Sequence, residues 1–321
     1  MGRRGAARPD AEILEGPARA GGTVQEALSL LRRREVRKPR AASRRRAKPS
    51  RREVYVGFAT LLYEVSDGVA TLTLNRPERH NAFNIQMARE LRDAWTQIKR
   101  DPAVVCVIVT GAGDKAFCTG FDVAEVAAGD TAGAPDVAYD ESPLIKLTAI
   151  HNRCWKPVIT AVNGMVNGGG LHFLADSDLI LAAEHATFFD THVKVGLLSA
   201  LEPVGLARRI PIEAVLRMSL LGGSERMTAA EAKQIGLVGE VMPLADLLPR
   251  ARGLAAKIAQ HSPAALARTK RVIWESLDRG LHDGLRHAWS LIAEHTQGPD
   301  TVEGATAFVE KRKPRWAPYT E

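Results

Sequence analysis

With 321 residues, 45% of them apolar and 25% charged, the chain has the composition of a soluble globular protein with ample material for a core. No apolar run approaches the ~18–20 residues that a membrane-spanning helix needs, and the Arg-rich start lacks the apolar stretch of a secretory signal. The net charge of +7 is local: residues 1–53 carry 16 Lys and Arg against 6 Asp and Glu, so the remainder is mildly acidic.

Residues 1–53 hold few large apolar side chains and three basic runs, Arg32-Arg33-Arg34, Arg37-Lys38 and Arg44-Arg45-Arg46. Such a segment buries too little surface to offset its ordering entropy, so it reads as a basic, disordered extension with at most a short helix over Thr23–Arg34. A solvated extension, or the product of a misassigned start codon, is the leading reading. A mitochondrial transit peptide and a nucleic-acid-binding arm are weaker alternatives.

The folded body is expected from residue 54. Leu61–Val65 and Val69–Asn75 read as strands joined by an Asp67-Gly68 hairpin. Asn84–Arg100 carries Met87, Leu91, Ala94, Trp95 and Ile98 at helical spacing. Val104–Thr110, Val158–Val162 and Leu179–Ala182 are short apolar runs of buried-strand type. Beyond Pro211 the pattern turns helical over Ile212–Leu221, Thr228–Ile235, Leu244–His261, Ala264–Asp278 and Gly284–Gln297. Strands alternating with helices imply an α/β fold with mostly parallel pairing. Cys106, Cys118 and Cys154 are too few for a disulfide framework and lack zinc-ligand spacing, which suits a reducing cytoplasm and no metal site.

Two glycine-rich segments stand out. Lys115-Ala116-Phe117-Cys118-Thr119-Gly120-Phe121-Asp122 follows one expected strand and precedes a short helix near Val123. Asn163-Gly164-Met165-Val166-Asn167-Gly168-Gly169-Gly170-Leu171-His172 follows another and opens a helix over Leu171–Asp176. Glycine lets a ligand approach the backbone closely, and the free N–H groups of a helix's first turn then face it. One such loop is a weak signal. Two, after two parallel strands, suggest donors converging on a single oxyanion.

These loops resemble the crotonase (enoyl-CoA hydratase/isomerase) superfamily, and three further stretches do so as well. They are Leu74-Asn75-Arg76-Pro77-Glu78-Arg79-His80-Asn81-Ala82-Phe83, the run from Ala229 to Val238, and Phe308-Val309-Glu310-Lys311-Arg312-Lys313-Pro314. The resemblance covers roughly Val56–Pro314. It implies a crotonase-like spiral of repeated ββα units over 54–250 and a helical C-terminal trimerisation region over 251–321. It also implies an acyl- or enoyl-CoA thioester as partner, a homotrimer or dimer of trimers, and no cofactor beyond the substrate's own CoA.

Carried over by position, the oxyanion donors are the backbone N–H groups of Phe121 and Gly169. The CoA contacts fall at Arg79, His80 and Ala82, at Asp122, Val123 and Ala124, and at Lys311, which could reach a phosphate from a neighbouring subunit. The two glutamates that deliver water in the family's hydratases are replaced here by His172, two residues after the triple glycine, and by His192 in Phe188–Gly196. Imidazole is a competent acid/base near neutral pH. Glu202 and Asp190 are reserve acids, whereas Asp176 and Asp178 are expected to pair at a helix–strand junction. Asp122 is expected to accept bonds within its own turn. His80, His151, His185 and His261 read as structural side chains by residue type, although His80 keeps its CoA-contact position. Enoyl-CoA hydratase is the default reading. The alternatives are isomerisation, C–C bond hydrolysis or decarboxylation through His172 and His192, or an RNA-binding homologue using the basic tail.

Overall fold

A computed structural model of the chain describes residues 53–55, 57–124 and 145–321. The basic extension short of Glu53, the expected Thr23–Arg34 helix and any helix continuing beyond Ala124 lie outside the described residues.

The body opens with strands β1 (Glu53–Tyr55), β2 (Leu61–Ser66) and β3 (Val69–Leu74), all paired antiparallel in order. Asp67 and Gly68 both take positive φ, 53° and 80°, so the two-residue turn matches the strands' right-handed twist. Helix α1 (Ile85–Arg100) starts at Asn84, whose side chain accepts the Met87 N–H and satisfies one otherwise unpaired donor. Its buried residues are Met87, Leu91, Ala94, Trp95 and Ile98, the spacing expected from the sequence, with Ala88 beside them.

Strands then come in consecutive pairs: β4 (Cys106–Gly111) with β5 (Ala116–Cys118), β6 (Val158–Val162) with β7 (Met165–Asn167), and β8 (Leu179–Ala183) with β9 (Thr187–Phe189). The first of each pair joins a seven-stranded sheet in the order β1-β2-β3-β4-β6-β8, closed by β11 (Glu240–Met242). The second joins a four-stranded sheet in the order β10-β9-β7-β5, where β10 is Met227–Thr228. The chain therefore alternates between two sheets as it advances, which is the expected spiral of ββα turns. β3, β4, β6, β8 and β11 run parallel, as do β5, β7 and β9.

Both faces of the larger sheet are buried, which is why β4, β6 and β8 read as unbroken apolar runs. Val107, Val109, Val158 and Val162 face α1 and the smaller sheet. Cys106, Ile108, Ile159, Ala161 and Leu181 face the opposite way, against Leu247, Ala251 and Ala255 of a later helix (Leu244–Ile258). Between these come α2 (His172–Ala175), α3 (Leu201–Leu206), α4 (Ile212–Leu220) and α5 (Ala229–Gln234), so the Leu244–Ile258 helix is α6. The chain ends with α7 (Pro263–Ser276), α8 (Leu281–Thr296) and α9 (Pro299–Val309). A division at residue 250 falls inside α6, whose second half packs on the sheet as its first half does.

The sequence reading did not separate β5, β7, β9, β10, β11, α3 and α9. The first three are only three residues long and end in glycine or polar turns, where alternation has no room to declare itself.

Candidate active site

Two buried asparagines build the frame on which the site rests. Asn81 is fully buried in a left-handed conformation. It accepts the Arg76 N–H and donates to the carbonyls of Ala112 and Ala116. Asn163 accepts the Gly111 N–H and donates to Gly113 and to the same Ala116 carbonyl. Asparagine offers both donors and an acceptor, so each can tie three backbone groups where strands separate and no ladder satisfies them. A third, Asn167, bonds Thr191 and the Thr119 carbonyl, linking the turns that follow β5, β7 and β9.

The two glycine turns meet on this frame. Gly120 has φ +88°, and a Cβ there would sit 2.9 Å from the Gly169 nitrogen and 3.0 Å from the Asn167 carbonyl oxygen. A Cβ at Gly170 would overlap the Cys118 carbonyl at 2.3 Å. Glycine is therefore required twice, once for the positive φ and once for strand-to-turn contact. Phe83 N–H donates to Gly120 O and Asp122 N–H to Phe83 O, which fixes Phe121 between them. The Phe83 and Phe121 rings pack edge to face at 5.7 Å. Among the described residues, no backbone carbonyl takes the N–H of Phe121 or of Gly169.

Both residues line a cavity of about 410 Å³, together with His192. Arg79, His80, Ala82, Asp122 and Val123 line it too, so most of the expected CoA contacts converge there. Ala124 is exposed and not among the lining residues, its N–H donating to Asp122 Oδ1. Asp122 also pairs with Arg76 at 3.0 Å, the local structural role that its position suggests. Lys311 lies away from this cavity, exposed after the end of α9. A larger apolar cavity of about 510 Å³ beside Trp274 and Ile273 of α7 contains none of the expected site residues.

His192 is braced by an ion pair. Its Nδ1 lies 2.7 Å from Asp190 Oδ1, and the same oxygen accepts the His192 N–H at 2.8 Å. Asp190 is fully buried, and its other oxygen accepts from Ser199 Oγ. Because an ionised carboxylate can only accept, Nδ1 donates to Asp190 in either charge state of the ring, and Nε2 is an acceptor once the ring is neutral. The hydrogen bond to Asp190 holds the His192 pKa above its ordinary value. Burial pushes the Asp190 pKa up, but the bonds from His192 and Ser199 outweigh it and hold the acid below the usual range.

His172 is placed differently from the expectation of an open pair facing His192. It is buried at the start of α2, outside the residues that line the cavity, with Nε2 3.3 Å from Glu202 Oε1. Burial pushes Glu202 up, yet the His172 ring and the His192 charge bring its pKa below the ordinary value. His151 packs edge to face on His172 at 5.1 Å, and its Nε2 lies 3.2 Å from Asp176 Oδ2. Burial holds the His151 pKa down. Ligand atoms of His151, His172 and Asp176 lie within 4.8 Å of one another, near enough to hold a metal, but Glu202, Thr148 and the pairings just described already engage them.

His151 is the member of this cluster that residue type did not single out. It lies outside every motif, and only the fold brings it to His172. Asp176 and Asp178 behave as junction residues: Asp178 accepts from Val158 N–H and Trp274 and pairs with Lys270. The three cysteines are free and buried, with Cys118 pushed up to about 12 by burial and so inert as a nucleophile.

Comparison with known proteins agrees with the geometry. The family model for enoyl-CoA hydratase/isomerase matches residues 64–318. The (E)-benzylidenesuccinyl-CoA hydratase of Thauera aromatica is 35% identical over 252 residues, covering 78% of this chain and 96% of that protein. A carnitinyl-CoA dehydratase of Salmonella arizonae is 33% identical, covering 77% and 94%. Among solved structures, an enoyl-CoA hydratase/isomerase from Mycobacterium paratuberculosis superposes with a TM-score of 0.75 at 38% identity, covering 81% of this chain and 99% of that one.

Proposed function

The chain belongs to the enoyl-CoA hydratase/isomerase family, and from that premise we propose that it is an enoyl-CoA hydratase. The observation that carries this reading is the meeting of the two glycine turns, which leaves the Phe121 and Gly169 N–H groups without backbone acceptors at one cavity. Two such donors stabilise the oxyanion of a thioester enolate, each contributing about 3–4 kcal/mol to the transition state.

In the proposed reaction a water oxygen attacks the β-carbon of the enoyl group. His192 Nε2 takes its proton while Asp190 holds Nδ1–H and stabilises the imidazolium. The double-bond electrons move toward the thioester oxygen held by the two amides. His172, backed by Glu202 and set back from the cavity lining, supplies through one water the proton that completes addition at the α-carbon. Arg79, His80 and Ala82 hold the CoA moiety with Asp122, Val123 and Ala124, and Lys311 of an adjacent subunit takes a phosphate. No cofactor beyond that CoA takes part.

Assembly as a homotrimer or a dimer of trimers is supported by the exposed row Ile212, Leu216 and Leu220 along α4, an apolar stripe at helical spacing that a lone chain leaves in water. A cytoplasmic location is supported by the three free cysteines. No helix of the described residues is long and apolar enough to cross a membrane.

A panel of CoA esters followed by mass spectrometry tests the reaction. Addition of 18 Da to a trans-enoyl-CoA, reversed on dehydration, is the expected result. A moved double bond, loss of carbon dioxide or release of free CoA would assign the chain to another crotonase reaction run by the same imidazoles. An unchanged panel would overturn the enzymatic reading.

A further inference from the structure

α3 is built with its polarity reversed. Its outward side chains are apolar, Leu201 at 43% and Val204 at 68% exposure, whereas its acid, Glu202, is 7% exposed. Turning a carboxylate inward and a valine outward costs several kcal/mol unless the charge finds a partner. Two features of the sequence Leu201-Glu202-Pro203-Val204-Gly205-Leu206 hold it there. Gly205 lacks the Cβ that would press on Ala175 Cβ at 2.9 Å, so α3 lies directly against α2. Arg209, just after α3, donates to the carbonyls of Ala175 and Ser177 at the far end of α2. The result is Glu202 Oε1 3.3 Å from His172 Nε2, on a helix that packs against the Gly168–Leu171 turn; the His192 ring lies against that same turn, its Cε1 3.3 Å from where a Cβ on Gly168 would stand.

Resting on the thioester reading above, we propose that Glu202 is the positioning residue shared by the two imidazoles of the reaction centre: it holds the His172 ring and supplies the buried negative charge that faces His192. Asp190 braces His192 from its own turn and reaches no second ring. Among the described residues Glu202 acts on both, and its interaction with His192 is mutual: its charge raises the His192 pKa, and the His192 charge lowers its own. The other charged and titratable groups around this centre are Asp190 beside His192, and His151 with Asp176 behind His172; Lys146 and Arg209 lie farther out.

The test is the ring titration of His192, followed by NMR in the full-length protein and assigned by the signal lost in His192→Gln. In Glu202→Gln the His192 midpoint should move to lower pH, and kcat should fall by about 10²-fold with KM little changed. In Glu202→Asp the carboxylate is retracted by one methylene, so a smaller downward shift and a partly recovered kcat are expected. That second variant decides the matter if the Gln variant does not fold. A His192 midpoint equal to the parent's in a folded variant overturns the proposal, whatever happens to turnover, because a purely structural Glu202 would lower the melting temperature without moving that ring. The titration requires no substrate. Failure of the thioester reading would show separately, as CoA esters left untouched by the parent protein.

Discussion

At the scale of single residues the candidate site sets each of two imidazoles on a carboxylate, His192 on Asp190 and His172 on Glu202. His192 works as a base only above its raised pKa, so the acid limb of the rate profile should follow that ring. Asp190→Asn removes the bond that raises it. The limb should move to lower pH while kcat falls by about 10²-fold or more, as seen in kcat/KM measured across pH. The stability effect carries two signs. Asp190, depressed when folded, stabilises above its unfolded pKa of ~3.9, an effect lost as pH falls through the folded value. His192, raised when folded, stabilises below its unfolded pKa of ~6.5, an effect lost as pH rises through the folded value. The gap in urea midpoint between parent and variant should therefore be widest from about pH 4 to 6.5. The resemblance put His172 and His192 at the positions expected of the family's glutamates, the first of them anchored by the triple glycine. Their partners were not legible. Asp190 and Glu202 could be named only as reserve acids and His151 only as a structural side chain, since a pair such as His172 and Glu202, 30 residues apart, leaves no local pattern.

At the scale of elements the strand ends matter more than the strands. β4 and β5 part at Gly111–Ala116, and the backbone groups freed there are met by side chains from distant loops, Asn81 and Asn163. Asn81→Ala should cost about 2–4 kcal/mol in urea unfolding, because three backbone groups lose their partner, two of them carbonyls at the strand end. The same change should weaken CoA binding, since Asn81 lies between His80 and Ala82 on the cavity wall. The helices of the second half, α9 apart, were read from their helical pattern, and the structure adds their caps. Thr228 and Glu231 form the reciprocal capping box that opens α5, and Ser262 caps α7 through the Ala265 N–H. The three-residue strands of the smaller sheet escaped, because a run that short is decided by its neighbours.

At the scale of the whole molecule, charge and fold are separate properties. The +10 of residues 1–53 sits ahead of the stretch matched by the family model, which begins at residue 64. Removing residues 1–52 should leave thioester turnover at the parent's level, and any affinity for RNA should vanish with the removed charge, as a filter-binding titration at two salt concentrations would report. Loss of turnover would instead make the extension part of the working enzyme. What the amino-acid order determined by itself was the local chemistry: glycines where φ must be positive, caps where helices start, apolar runs where both sheet faces are covered. Those choices rest on each residue's own backbone and a few neighbours. Only the tertiary structure decided which imidazole meets which carboxylate, and that His172 turns inward to Glu202 while His192 opens on the cavity. Such pairing depends on two helices approaching to van der Waals contact through a glycine, a distance that no stretch of sequence records.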